Sequence, residues 1–280
     1  MLNPADYAFL SDALKQRSGL ALTTEKGYLI ETRLRPIALE YGMRDVDDLV
    51  AALRLDPREE MMSVIVDAMT TNESFFFRDN KPFNAFREVM LPHLMRTRAE
   101  RRSFRIWCAA CSSGQEPYSI AMILDDERIK LANWRIEIVA TDISPSMLAR
   151  AHAGRFNQFE VQRGLPTNYL VKHFKKVDGA FEIDPALRNL IEFREFNLMS
   201  DPRPLGVFDV VFCRNVLIYF DPPTKSQVLQ QIRTVMPDDG FLLLGAAETV
   251  IGVTDEFAPH ENMTGVYSVA NSAPRIAAFG

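Results

Sequence analysis

The stretch that most constrains the fold runs from Phe104 to Leu124, FRIWCAACSSGQEPYSIAMIL. It reads as a strand, a tight loop and a helix. Phe104, Ile106 and Trp107 favour extended backbone. Ala109, Ala110, Ser112, Ser113 and Gly114 then allow a sharp turn and the close approach of a ligand. Pro117 is expected at the first helical position, where its missing N–H costs nothing. Ile120, Ala121, Ile123 and Leu124 supply an apolar stripe at helical spacing. In an open α/β sheet the first such turn is where a nucleotide-like ligand binds.

The loop departs from the dinucleotide pattern. It has no G-x-G-x-x-G, and Glu116 stands at the mouth of the helix. A carboxylate there repels a pyrophosphate, which wants bare N–H groups. It favours a ligand that carries a cation, and S-adenosylmethionine carries an ammonium and a sulfonium but no phosphate. Glu116 also fits as a simple complement to the helix dipole. A second acid closes the run Ile136 to Asp142, just before Ser144-Pro145 opens another helix. An acid ending the second strand can accept hydrogen bonds from ribose hydroxyls. It can also serve as an N-cap, a role that Ser144 could take instead. Two acids on successive strand ends point to a nucleoside-containing cofactor.

The length of 280 residues suits one large or two small domains. A formal net charge of −5 argues against a nucleic-acid binder, which shows a basic footprint. No signal peptide and no membrane-spanning run are expected. Cys108, Cys111 and Cys213 fit a reducing cytosol. The Cys108-Ala-Ala-Cys111 spacing resembles redox or metal motifs, yet a closed zinc site needs about four ligands. No histidine lies near it in sequence, so no metal is expected and the pair reads as small residues at a strand end.

Taken in order, residues 1–75 read as a helical module. Amphipathic segments run from Pro4 to Gly19, Glu25 to Gly42, Val46 to Leu55 and Arg58 to Met69. Arg33 and Arg35 lie on the second, before Pro36, which should kink or restart it. Periodicity alone puts both arginines on a solvated face. The run Thr70 to Asp79 holds three consecutive aromatics and an arginine, and suits a buried loop between domains with polar groups facing a cleft. Residues 76–103 read as a linker helix, and the segment Lys81 to Arg105 carries a solvated basic tail of Arg96, Arg98, Arg101, Arg102 and Arg105. The α/β domain then spans 104–280. Within it, 155–190 breaks the alternation, and Asp178-Gly179 between Lys175 and Ile183 signals a hairpin. Further strands are expected at Ile191–Phe196, Phe208–Cys213 and Phe241–Leu244, with Val266–Val269 as a closing antiparallel strand. A helix is expected from Pro222-Pro223 to about Met236. The tail from Asn271 is small, polar and expected to fray.

Four ordered motifs carry a resemblance. Thr71-Asn-Glu-Ser-Phe-Phe-Phe-Arg78, Cys111-Ser-Ser-Gly-Gln-Glu-Pro-Tyr-Ser119, Ala140-Thr-Asp-Ile143 and Cys213-Arg-Asn-Val-Leu-Ile-Tyr-Phe-Asp221 together resemble the CheR family of chemotaxis protein methyltransferases. The resemblance covers essentially the whole chain. It implies a Rossmann-like S-adenosylmethionine-dependent methyltransferase sheet with a reversed last strand, an N-terminal helical substrate-recognition domain and a small inserted β-subdomain. It also implies methylation of glutamate side chains on the cytoplasmic helices of methyl-accepting chemoreceptors, in a cytoplasmic, monomeric protein that reaches membrane arrays only through the receptors. Matched motif by motif, the cofactor site is Asn72, Ser74, Arg78, Glu116, Asp142, Asn197, Leu198, Arg214 and Asn215, with Arg78 and Tyr219 facing the methyl. Ser74 stands where the family often has Thr, and keeps the hydroxyl. In family terms Arg33 and Arg35 face the receptor's acidic helix. The hairpin Lys175–Glu182 is shorter than in members that dock on a receptor's C-terminal pentapeptide, which argues against such docking here.

A glutamate acceptor is ionised at neutral pH and needs no general base. None of His93, His152, His173 or His260 sits in a motif, in agreement. Catalysis is then mostly positioning for an in-line displacement. A nucleic-acid amino methyltransferase usually shows an Asn-Pro-Pro-Tyr-like motif where this chain has Arg214-Asn-Val-Leu-Ile-Tyr219. A nicotinamide dehydrogenase lacks its glycine fingerprint here. A non-catalytic cofactor-binding sensor or scaffold of a chemosensory pathway is the remaining alternative.

Overall fold

Polar N-caps and apolar stripes set the N-terminal helices. The computed structural model describes residues 2–22, 27–261 and 263–270. Helix α1 (Pro4–Ser18) starts where Asn3 accepts from the Asp6 N–H, and ends at Gly19 in the left-handed region. Helices α2 (Gly27–Glu40), α3 (Val46–Leu55) and α4 (Glu59–Met69) follow. Leu10, Leu14, Leu34, Leu49 and Ile65 meet in their shared core. Helix α2 runs through Pro36 without a restart. The burial of Leu34, Ile37 and Ala38 on either side favours the helix despite the lost hydrogen bond. The expected start at Glu25 and the tail from Asn271 lie outside the described residues.

The next helix is no linker. Helix α5 (Lys81–Ala85), a π-turn (Phe86–Met90) and helix α6 (Leu91–Thr97) run on without a break. Phe83, Phe86, Met90 and Leu94 share one core with Phe104, Ile106, Phe212 and Phe241 of the sheet. The basic tail is solvated only in part: Arg96, Arg101 and Arg102 are exposed, while Arg98 and Arg105 are half-buried. Arg98 donates to Asp209 at 2.8 Å and to Asp239 at 2.7 Å, and Arg101 donates to Asp209 at 2.6 Å. Arg105 donates to Glu137 at 2.7 Å and to the Leu205 carbonyl at 2.9 Å. The matching acids lie more than 30 residues away in sequence, so local charge density alone missed these pairings.

The sheet contains β1 (Ser103–Ala109), β2 (Arg135–Asp142), β6 (Ile191–Glu195), β7 (Val210–Cys213), β8 (Phe241–Leu244), β9 (Phe257–Pro259) and β10 (Val266–Val269). Their spatial order is β6-β2-β1-β7-β8-β10-β9. The first five are parallel, and β10 enters antiparallel to both neighbours. The order reverses at β1, beside β7, and ligands bind at such a switch point above the strand ends. Strand β9 gave no clear sequence signal, having three residues of which one is proline. Helices α7 (Gln115–Asp126), α8 (Pro145–Ala153) and α12 (Pro222–Thr234) connect the strands. Gly114, at φ 92°, precedes α7, so Pro117 is its third residue rather than its first. Its missing N–H still falls among the four unpaired donors of a helix start.

The insertion forms a second sheet from β3 (Arg155–Phe156), β4 (Phe174–Val177) and β5 (Ala180–Ile183), in the order β3-β5-β4. Asp178 and Gly179 both take positive φ, as a two-residue hairpin of this twist requires. Short helices α9 (Gln158–Gln162), α10 (Thr167–His173) and α11 (Pro185–Arg188) complete it. The three consecutive phenylalanines fasten this subdomain down. Phe76 meets Phe156 edge-on at 4.9 Å, and Phe77 stacks on Tyr169 at 5.1 Å. Gly164 is needed because a Cβ there would lie 2.1 Å from the Phe76 carbonyl.

Candidate cofactor and acceptor site

A cleft opens above the C-terminal ends of β1, β2, β6 and β7. Asn72, Ser74, Arg78, Glu116, Asp142, Asn197, Leu198, Arg214, Asn215 and Tyr219 all line it. The helical domain covers one side through Ser18, Leu20, Thr70 and Thr71. Leu20 forms a β-bridge with Phe220, the Ala21 N–H donates to the Tyr219 carbonyl at 2.9 Å, and Lys15 pairs with Asp221 at 2.6 Å. No histidine or lysine lines the cleft among the described residues.

Glu116 sits in the first turn of α7 and accepts from Arg214 Nη1 at 2.8 Å. Arg214 is buried, and it also donates to the Arg78 carbonyl at 2.9 Å and to Asp79 at 2.7 Å. Its Nε has no protein partner. Burial pushes the Glu116 carboxyl above the usual range, with Glu248 adding repulsion and Arg214 opposing both. Asp142 is buried too. Its Oδ2 accepts from the Ser112 N–H at 2.7 Å and its Oδ1 from the Ser144 N–H at 2.9 Å. Burial raises its carboxyl, and these backbone N–H groups oppose the rise. Ser144 supplies the N-cap of α8, so Asp142 is spared that task.

The loop between α4 and α5 crosses the opposite wall. Ser112 Oγ donates to the Asn72 carbonyl at 2.8 Å, and Asn72 Nδ2 donates to Thr70 Oγ1 at 3.0 Å. Arg78 donates to the Glu73 carbonyl at 2.9 Å and lies over the Phe75 ring at 5.2 Å. Phe77, Asp79 and Asn80 all take positive φ, a strained run of the kind found beside functional side chains. Asn197 donates to the Arg17 carbonyl and accepts from the Met199 N–H at 3.0 Å, so its amide ties the sheet to α1. Leu198, with Ile143, Phe196 and Val216, makes an apolar slot.

Two expectations fall outside the cleft. Arg33 donates to the carbonyls of Met69 and Thr70, each at 2.8 Å, and to Thr71 Oγ1 at 3.0 Å. Its guanidinium therefore ties down the end of α4 and the start of the cleft loop, and is not on a free solvated face. Arg35 remains exposed, 3.9 Å from Glu31. Sequence reasoning missed Asp79 and Glu248. The only signal for Glu248 was an acid following the buried strand β8 and Gly245-Ala-Ala. The three cysteines are buried free thiols whose protonated form burial favours.

The donor set fits S-adenosylmethionine. Half-buried Glu116 and buried Asp142 are carboxylates of the kind that suits the cationic and hydroxylated parts of such a ligand. Each Asp142 oxygen, having taken one backbone N–H, keeps acceptor capacity. The apolar slot suits a purine. The fold and cleft define a Rossmann-like enzyme for a nucleoside cofactor without a pyrophosphate.

Comparison with known proteins narrows the class. Residues 72–266 match the model described as CheR methyltransferase, SAM binding domain, and residues 5–70 match the CheR methyltransferase all-alpha domain. The chain belongs to the CheR methyltransferase family and is an S-adenosylmethionine-dependent methyltransferase. It is 40% identical over 248 residues to chemotaxis protein methyltransferase Cher2 of Pseudomonas putida, covering 87% of this chain and 90% of that one. It is 39% identical over 257 residues to chemotaxis protein methyltransferase 1 of Pseudomonas aeruginosa, covering 90% and 93%. No helix among the described residues is long and apolar enough to cross a membrane.

Proposed function

We propose that this enzyme methylates glutamate side chains on the cytoplasmic helices of chemoreceptors, forming methyl esters for chemotactic adaptation. The observation that carries the reading is a cleft lined by carboxylates and arginines with no histidine or lysine base. An amine, hydroxyl or thiol acceptor must lose a proton to a base, a step that a carboxylate acceptor does not need. A glutamate carboxylate arrives already ionised. The names of the chain's relatives support the same acceptor class.

The roles follow from charge and shape. Bound S-adenosylmethionine supplies an electrophilic methyl group on a sulfonium. Glu116 receives the amino group through the oxygen that Arg214 does not occupy. Asp142 receives the ribose hydroxyls with its remaining lone pairs. Asn197 holds the wall beside the adenine, which Leu198 frames, while Asn72, Ser74, Arg214 and Asn215 close the site around the cofactor. Arg78 and Tyr219 orient the incoming carboxylate for in-line attack, and no proton moves. Arg78 is partly engaged by the Glu73 carbonyl, so it can steer the anion without quenching it. Arg35, on the exposed side of α2, meets the receptor's acidic helix, while Arg33 supports the cleft loop from behind.

The test is transfer of labelled methyl from S-adenosylmethionine to a purified receptor cytoplasmic domain, with and without its last residues. Base-labile label is expected in both cases, because the β4–β5 hairpin turns in only two residues. Base-stable label, or none despite cofactor binding, would overturn the assignment and favour the sensor reading.

A further inference from the structure

Glu248 lies beyond β8 and is 9% exposed, with no counter-ion within salt-bridge distance among the described residues. Its carboxylate is filled by backbone. Oε2 accepts from the Gly245 N–H at 2.6 Å and the Asn215 N–H at 2.8 Å, and Oε1 accepts from the Ile218 N–H at 3.2 Å. Asn215 has a positive φ of 59°, and residues Leu217–Tyr219 form one tight 3-10 turn. Such a turn leaves N–H groups that the loop cannot satisfy within itself, and a buried orphan is costly. The same loop carries Arg214 at its start and Tyr219 at its end.

We propose that Glu248 is a positioning residue, which fixes the distance and orientation between the cofactor-side start of this loop and Tyr219 at its acceptor-side end. This rests on the methyltransferase reading above. A carboxylate is required because all three partners are donors. A glutamine in the same place must turn its own NH2 toward one of them, and an oxygen kept on the two short contacts leaves the Ile218 N–H facing a donor. Ile218 adjoins Tyr219, so the disturbance falls on the acceptor side. Gly245 guards the same contact from the other direction. A Cβ there would lie 2.5 Å from Asn215 Nδ2, 2.7 Å from Glu248 Oε2 and 2.9 Å from the Asn215 backbone nitrogen.

The experiment uses Glu248→Gln and, as a fuller loss of the same three contacts, Glu248→Ala. Each is measured for methyl transfer to a receptor domain, for S-adenosylhomocysteine binding by calorimetry, and for hydrogen exchange of the 214–220 peptide. Turnover should fall by about 10- to 100-fold, the scale of a misplaced reacting group. Affinity for S-adenosylhomocysteine should hold within about twofold, and the loop amides should exchange roughly tenfold faster than in the parent. In a Tyr219→Phe background Glu248→Gln should cost little more, because it acts through Tyr219. A full additional loss in that background, or unchanged loop exchange, would overturn the proposal. If the parent enzyme transfers no methyl to any receptor domain, the functional reading fails instead, and loop exchange alone then judges Glu248.

Discussion

Arg214 Nη1 lies 2.8 Å from Glu116 Oε2, joining the loop after β7 to the first turn of α7 across the floor of the cleft. Arg214 is buried and Glu116 half-buried, and the pair is extended by Asp79, 2.7 Å from Arg214 Nη2. Glu116 thus holds a buried cation of the protein on one oxygen, and on the proposed reading offers the other to a ligand cation. Arg214 opposes the rise that burial causes at Glu116 and so favours its ionised form.

Removing Arg214 strands this charge. Arg214→Met is expected to destabilise the fold by about 3–5 kcal/mol in urea unfolding, the usual cost of breaking a buried pair from one side. Glu116→Gln should be milder for folding, since Asp79 still holds the guanidinium. It should weaken S-adenosylhomocysteine binding by about 10- to 100-fold, the scale of a lost charge-assisted hydrogen bond. Calorimetry and denaturant melts separate the two effects.

Arg78 and Tyr219 should behave as acceptor-side residues. Arg78→Ala is expected to lower turnover by about 100-fold with little change in cofactor affinity. Equal losses in both quantities would move Arg78 into the cofactor site proper. A conservative Arg78→Lys should recover part of the rate, because the charge remains while the fork geometry does not.

The pH profile carries a sign. Burial raises the carboxyls of Glu116 and Asp142 above their ordinary values. They therefore pick up protons at higher pH than exposed acids do. Cofactor affinity should fall on acidification, starting above the usual carboxylate range, and Glu116→Gln should remove part of that limb. Folding stability responds in the opposite direction at these two groups. A raised pKa adds stability below the unfolded value, and that contribution is lost as pH rises through the folded one. Isothermal titration against pH measures the first effect. An affinity flat down to the ordinary glutamate range would show that neither acid meets the cofactor in ionised form.

Arg33 and Arg35 should separate cleanly. Arg33→Ala frees the carbonyls of Met69 and Thr70 and the Thr71 hydroxyl, so it should weaken cofactor binding through the Asn72 loop. Arg35→Ala should leave cofactor binding intact and raise KM for the receptor domain. That increase should shrink as salt rises, since exposed charges are screened over about 8–10 Å at moderate ionic strength. Matching effects of the two substitutions would place both on the receptor face.

The elements that read correctly from sequence were those with a local cause. The strand–loop–helix at Phe104–Leu124, the Asp178-Gly179 hairpin and the end of α1 at Gly19 each depend on residues within a few positions of one another. The buried strands β7 and β8 were visible as unbroken apolar runs. The pairing of Arg98 within the basic tail was missed for the reverse reason. Asp209 lies 111 positions from Arg98 and Asp239 lies 141, so nothing local marked the cluster as paired.

The sequence by itself determined the alternation of strands and helices, the acids that follow β1 and end β2, and the ordered motifs that carried the family resemblance. Backbone preference and apolar periodicity act over short range, and motif spacing is written directly in the chain. Only the tertiary structure decided which of the charged groups stand free. It gave Arg33 to the end of α4, shared Glu116 with Arg214, and set Glu248 under the loop that ends at Tyr219. A side chain's partner is whatever the fold brings within about 3 Å. Those distances depend on how distant segments cross, which no local pattern encodes.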